Sequence, residues 1–214
     1  MTRRLSSVPS LPDPGATASD DPPLVVLIGP PGSGKGTQCD RLAEQVGVAR
    51  VSVGDALRAA VSERSLLGKQ VRRFVESGQL VPDDLVIEVV AKQMDRLDDP
   101  SGVLLDGFPR TVAQADALED RRPGAVRLAI EFVVPTLTVL RRLALRGRTD
   151  DRPDVLRARL ASYERDTRPL LAWYETRGML QLVDGNRRPA AVMFALIDLI
   201  EGVGATAAPA LEYC

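Results

Sequence analysis

Leu24-Val25-Val26-Leu27-Ile28-Gly29-Pro30-Pro31-Gly32-Ser33-Gly34-Lys35-Gly36-Thr37 is the stretch that decides the fold of this chain. Its first five residues are wholly apolar and run into glycine, the pattern of a strand buried on both faces of a parallel sheet. The nine that follow contain G-x-x-x-x-G-K, a phosphate-binding loop set between strand and helix. Its glycines let successive backbone N–H groups turn inward without steric cost. The N-terminus of the following helix adds partial positive charge. Lys35 brings a full charge to the β- and γ-phosphates, and the Thr37 hydroxyl is a candidate for Mg²⁺ or phosphate contact. The residue directly after the lysine is Gly36, so the hydroxyl comes one place later.

Outward from this stretch, strands and helices alternate. Further strands are expected at about Ala49–Val53, Val103–Asp106, Val126–Val134 and Leu180–Val183. Helices are expected at Thr37–Val46, from Gly54-Asp55 through Arg64, at Leu66–Ser77 with a stop at Gly78, and from Pro82-Asp83-Asp84 to about Leu97. Thr111 caps one to about Glu119, and Pro135 opens another to about Arg146. A long helix after Pro153 places Leu156, Leu160, Tyr163, Leu171 and Tyr174 at helical spacing, and Pro169 should kink it or end its first half. The last helix runs from Pro189 to Ile200. Five parallel strands covered by helices on both faces make a three-layer α/β/α domain. Met1 to Pro23, rich in Pro, Ser and Asp, reads as a disordered leader, and 202–214 as a flexible tail.

Composition narrows the chemistry. The chain has 214 residues, 28 basic and 29 acidic, for a net charge of -1, so a general polyanion or nucleic-acid binder is not expected. It contains no histidine, which removes Ser-His-Asp and Cys-His catalysis and histidine metal sites. Two cysteines, Cys39 and Cys214, make neither a disulfide framework nor a four-cysteine zinc site, and a reducing cytoplasm fits. No apolar run suggests a membrane span and no h-region follows Arg3 and Arg4. The only lysines are Lys35, Lys69 and Lys92.

GPPGSGKGTQ (29–38), VSVGDALR (51–58), GQLVPDDLVI (78–87), LDGFPRT (105–111) and VDG (183–185) stand in the order and spacing of adenylate kinases. Over about 24–201 the chain resembles that family. The resemblance implies reversible Mg²⁺-dependent phosphoryl transfer from ATP to AMP, giving two ADP, by a cytoplasmic monomer that serves adenine nucleotide homeostasis. It implies a helical monophosphate-binding insert at about 52–81 and a short lid at about 147–153. No cysteine lies near that lid, so the zinc site of long-lid members is excluded.

The resemblance also implies roles for individual residues. Gly32, Ser33, Gly34, Lys35, Gly36 and Thr37 match the ATP phosphate site, with Arg142, Arg146 and Arg187 also on the ATP side. Val53, Arg58, Gln79, Leu80, Val81, Gly107, Phe108, Pro109, Arg110 and Gln114 match the AMP side. Arg58 and Arg110 would grip the AMP phosphate, and the Gln114 amide would read adenine with one donor and one acceptor. Outside such a motif, Gln114 would read as a solvated helix residue. Arg148 and Arg159, shared with the AMP side, would meet the transferring phosphates, for which forked guanidiniums suit. Arg141 and Arg157 read as a solvated basic face. Asp106 would orient Mg²⁺ through water, against the plainer reading of a strand-end turn residue. Asp55 either supports the site or caps its helix. The expected catalytic set is Lys35, Arg110, Arg146, Arg148 and Arg159.

No general base is required, because the acceptor phosphate oxygen is already ionised, which reconciles catalysis with a chain that lacks histidine. Positioning and charge neutralisation do the work. One residue departs from the family: Val53 stands where adenylate kinases usually have threonine, and pyrimidine monophosphate kinases tend to have alanine. The runner-up is therefore a pyrimidine or broad-specificity nucleoside monophosphate kinase. A non-catalytic nucleotide-binding protein on the same fold is the rival of another class.

Overall fold

A computed structural model describes residues 22–98, 100–146 and 152–202. Residues 1–21 of the expected leader, 147–151 of the expected lid with Arg148 among them, and 203–214 of the expected tail lie outside the described residues. The elements run β1 (Leu24–Ile28), α1 (Lys35–Val46), β2 (Ala49–Ser52), α2 (Val53–Ser62), α3 (Leu66–Ser77), α4 (Asp83–Met94), β3 (Val103–Asp106) and α5 (Val112–Arg121). They continue with β4 (Val126–Val133), α6 (Thr136–Arg146), α7 (Pro153–Ser162), a π-helical turn (Tyr163–Thr167), α8 (Pro169–Glu175), β5 (Leu180–Asp184) and α9 (Pro189–Gly202).

The five strands form one parallel sheet in the order β2-β3-β1-β4-β5. β1 is its centre because it has no polar side chain to present to either face. Leu24, Val26 and Ile28 face a core shared with α2 to α5 and α8, while Val25 and Leu27 face a second core built by α1 and α9. That alternation under helices on both sides is the expected three-layer domain. Cys39 lies in the second core, where burial pushes its thiol up to about 12. Pro23, placed in the leader by composition, already joins the sheet, its carbonyl accepting the Val103 N–H at 2.9 Å.

Two helix details differ from the expectation. α2 begins at Val53, with Ser52 as its cap accepting from the Asp55 N–H, so Asp55 sits inside the first turn rather than ahead of it. The long helix does not simply kink at Pro169. A proline N–H is missing, so the chain takes up one extra residue just before it, and the Arg168 N–H bonds five residues back to the Tyr163 carbonyl. Among the described residues, no helix is long and apolar enough to cross a membrane.

Candidate active site

At the C-terminal ends of the strands the connection leaving β1 goes to β2 on one side while that leaving the adjacent β3 crosses to β4 on the other, the kind of switch point where open parallel sheets bind ligands. A cleft of about 730 Å³ opens there, a volume fit for small-molecule ligands. The phosphate loop forms one wall. Gly32 takes φ +84°, and a Cβ there would stand 2.8 Å from Leu143 of α6, so only glycine lets the loop pack so close. Lys35 opens α1 and points its Nζ back across the loop, donating to the carbonyls of Gly29 and Pro30 and to Ser33 Oγ. Burial strips water from this ammonium and lowers its pKa to about 8; Asp106 opposes the shift, and Arg110 and Arg146 add to it. Lys69 and Lys92 are absent from the cleft lining, and Lys92 pairs with Glu88 instead.

The structure brings most of the expected residues to this one cleft. Gly32 to Thr37, Val53, Arg58, Gln79, Leu80, Val81, Asp106, Gly107, Pro109, Arg110, Gln114, Arg142, Arg146, Arg159 and Arg187 all line it. Arg110 lies exposed on the cleft wall, its Nε donating to the Gly107 carbonyl at 2.9 Å. Loss of water lowers its pKa, Arg159 and Arg58 press in the same direction, and Asp106 opposes them. Several guanidiniums held this close favour a polyanion between them.

Phe108 is the exception. Its ring is 2% exposed, sits in the core and is not part of the cleft wall. An aromatic side chain gains more from apolar packing than from a cleft lined with phosphate-binding groups. Phe108 therefore anchors the Gly107–Arg110 turn from behind. Arg142 also does something the sequence did not suggest. It donates to the Ser33 and Gly185 carbonyls at 3.0 and 2.9 Å, tying the phosphate loop to the turn after β5.

Gln114 is 1% exposed, which removes the solvated reading. Its Oε1 accepts from the Arg110 N–H at 2.7 Å and its Nε2 donates to Asp83 at 2.6 Å. One N–H and one lone pair of the amide remain, the donor and acceptor that an adenine edge needs. Asp55 does not cap. It pairs with Arg58 and Arg50. Burial works to raise its pKa, but hydrogen bonds from Arg58 and Ser52 and the charge of Arg58 outweigh it and hold the carboxyl down at about 2.

Arg50 is the residue that sequence reasoning missed. It donates from one nitrogen, Nη2, to both Asp55 and Asp106, and its Nη1 is ion-paired with Asp40. The available signal was a lone basic residue inside a strand of a buried parallel sheet.

Comparison with known proteins agrees with this geometry. A profile of the adenylate kinase family matches residues 27–179. The adenylate kinase of Phocaeicola vulgatus is 37% identical over 184 residues, covering 83% of this chain and 97% of that protein. The adenylate kinase of Mycobacteroides abscessus is 43% identical over 163 residues, covering 75% and 89%. That of Thermus thermophilus is 42% identical over 175 residues, covering 78% and 91%. With the phosphate loop, the arginines and the Gln114 amide lining one cleft of a five-stranded parallel sheet domain, this chain belongs to the adenylate kinase family.

Proposed function

We infer that this chain catalyses reversible phosphoryl transfer from ATP to AMP, giving two ADP, and so serves adenine nucleotide homeostasis. One observation carries the reading beyond the family assignment. Lys35 in its phosphate loop and Gln114 with a spare donor and acceptor line the same cleft, with Arg58, Arg110, Arg146 and Arg159 lining it as well. The loop and Lys35 bind the donor triphosphate, with Arg142 and Arg187 beside them. Arg58 and Arg110 hold the acceptor phosphate. Val53, Gln79, Leu80, Val81, Gly107, Pro109 and Gln114 enclose its nucleoside. Arg146, Arg159 and, from the segment outside the described residues, Arg148 neutralise charge on the phosphoryl group in flight. The helical pair within 52–81 acts as the acceptor-side insert and 147–153 as a short lid that excludes water.

The donor set suits Mg²⁺ carried on nucleotide phosphates. Among the described residues no group of three or more carboxylates or cysteines stands ready to chelate an ion, whereas Mg²⁺ commonly takes one or two protein ligands plus phosphates. Asp106 and Thr37, both on the cleft, would hold it, and it would supply charge neutralisation between the phosphates. The working protein is a cytoplasmic monomer, with ATP, AMP and ADP as its ligands and neither nucleic acid nor membrane.

A second reading, a pyrimidine or broad-specificity kinase, is favoured by Val53, which puts a methyl where a hydroxyl would meet the base. A coupled assay with ATP and AMP, CMP, UMP or GMP tests both. AMP should be the preferred acceptor. Preference for another monophosphate would overturn the adenylate assignment, and no transfer to any would leave a nucleotide-binding protein without catalysis.

A further inference from the structure

Arg50 has no part in the functions assigned above. β2 carries it in beside β3, and its guanidinium reaches carboxylates on three elements. Nη1 lies 3.0 Å from Asp40 Oδ1 on α1, and Nη2 lies 2.9 Å from both Asp55 Oδ2 on α2 and Asp106 Oδ2 at the end of β3. The side chains of Arg50 and Asp106 are only 23% and 14% exposed, so solvent screens this pair little. Asp40 and Asp55 are far more open, and their ion pairs are weak on their own.

Asp55 is shared. Its other oxygen accepts from Arg58 Nη2, and the Arg58 head folds back over Gly54, where a Cβ would stand 3.2 Å from its Nη1. The opposite end of the network touches the phosphate loop, since a Cβ on Gly36 would stand 3.4 Å from Asp106 Oδ2 and 3.9 Å from Arg50 Nη2. Charges therefore alternate along Asp106, Arg50, Asp55 and Arg58, from the donor loop to the acceptor side.

We infer that Arg50 is a positioning residue for the acceptor phosphate: it draws on the charge of Asp55 and so leaves Arg58 able to turn to the incoming monophosphate. This rests on the adenylate kinase reading above. Arg58 must choose between Asp55, three residues away on its own helix, and the phosphate. With Arg50 in place, Asp55 is partly neutralised and releases Arg58 at low cost. Without it, the full carboxylate charge competes for Arg58, and the acceptor site weakens more than the donor loop, which the network meets only through Asp106.

Calorimetric titration of AMP and, separately, ATP, both without Mg²⁺, into wild type, Arg50→Gln, Arg50→Lys and the double variant Arg50→Gln with Asp55→Asn tests this. Arg50→Gln should weaken AMP about five- to tenfold, a coupling typical within one ion network, and leave ATP within about twofold. The lysine keeps a charge but cannot fork to three carboxylates, so its loss should be intermediate. Adding Asp55→Asn removes the competitor and should return AMP affinity to within about twofold of wild type, a recovery that a merely structural arginine would not show. Unchanged AMP affinity in Arg50→Gln, equal loss of AMP and ATP, or no recovery in the double variant would overturn the inference. Should Arg50→Gln not fold, Asp55→Asn alone decides: AMP binding at least as tight as wild type supports the inference, and weaker binding overturns it. Failure of the adenylate reading itself would show earlier, as wild type that transfers nothing to AMP.

Discussion

At the scale of the residue, Lys35 is the group whose protonation the site controls. Its pKa of about 8, set first by burial, lies below the ordinary 10.5 of a free lysine. Between those two values the unfolded chain binds more proton than the folded one, so the nucleotide-free protein gains stability as pH rises through this window. Below about 8 the lysine is charged in both states, and the full cost of burying an ammonium is present. A triphosphate laid beside it favours the charged form. ATP binding just above pH 8 should therefore take up a proton, read as a heat that varies with the ionisation enthalpy of the buffer, and affinity should fall as pH rises further. A buffer-independent heat would remove Lys35 from the phosphate contact. By the same reasoning Lys35→Ala should cut kcat/KM by about two to three orders of magnitude, while its melting temperature stays level or rises. Val53 poses a different question. It is 2% exposed on the cleft wall, and threonine has nearly its shape. Val53→Thr adds one neutral hydrogen-bonding group, which contributes about 0.5–1.5 kcal/mol. Because the proposed assignment sets it against the base and not the reacting phosphates, KM for AMP should fall up to about tenfold with kcat unchanged. A drop in kcat would place Val53 nearer the chemistry than proposed.

At the scale of the element, the α2–α3 pair hangs on one glycine. A Cβ at Gly68 would run into the backbone carbonyl of Ala60, and backbone cannot swing aside as a flexible side chain can. Gly68→Ala should force the two helices apart and cost about 1–3 kcal/mol, the usual range for overpacking, as read by chemical denaturation. Arg58 and Val53 lie on α2, so KM for AMP should rise more than KM for ATP. An equal rise in both would mean that this pair does not serve the acceptor alone. Most elements were legible because each carries its own punctuation. Gly78 ends α3 in the left-handed region, and Thr111 caps α5 by accepting from the Gln114 N–H. The π turn before Pro169 was not legible. Whether a chain kinks, breaks or absorbs a residue at proline depends on what the flanking turns pack against, here Tyr163, Leu170 and Tyr174 in the shared core.

At the scale of the whole molecule, the residues proposed for the donor and for the acceptor share one cleft, so a single ligand spanning both should bind far better than either half. Two adenosines joined by a polyphosphate, at about 100 times its dissociation constant, should stabilise the fold by about 2.7 kcal/mol. In a domain of this size that is a melting shift of about 5–11 °C. A shift no larger than that given by ATP alone at the same concentration would separate the two sites. What the sequence determined by itself is what lies contiguous in it. The β1 strand, the phosphate loop and the helix start occupy fourteen successive residues, and their torsional freedom, polarity and charge act locally, so the donor site is readable without a fold. Tertiary structure alone decided the rest of the polar machinery. Asp40, Arg50, Asp55 and Asp106 meet because β2 lies parallel to β3 with Ser52 opposite Asp106. Gln114 is locked between the Arg110 N–H and Asp83, which stands 31 residues earlier. Phe108 turns to the core while its neighbours Gly107 and Pro109 line the cleft. Such partners are chosen by strand register and helix packing, which act between residues far apart in the chain and leave no mark on the local pattern.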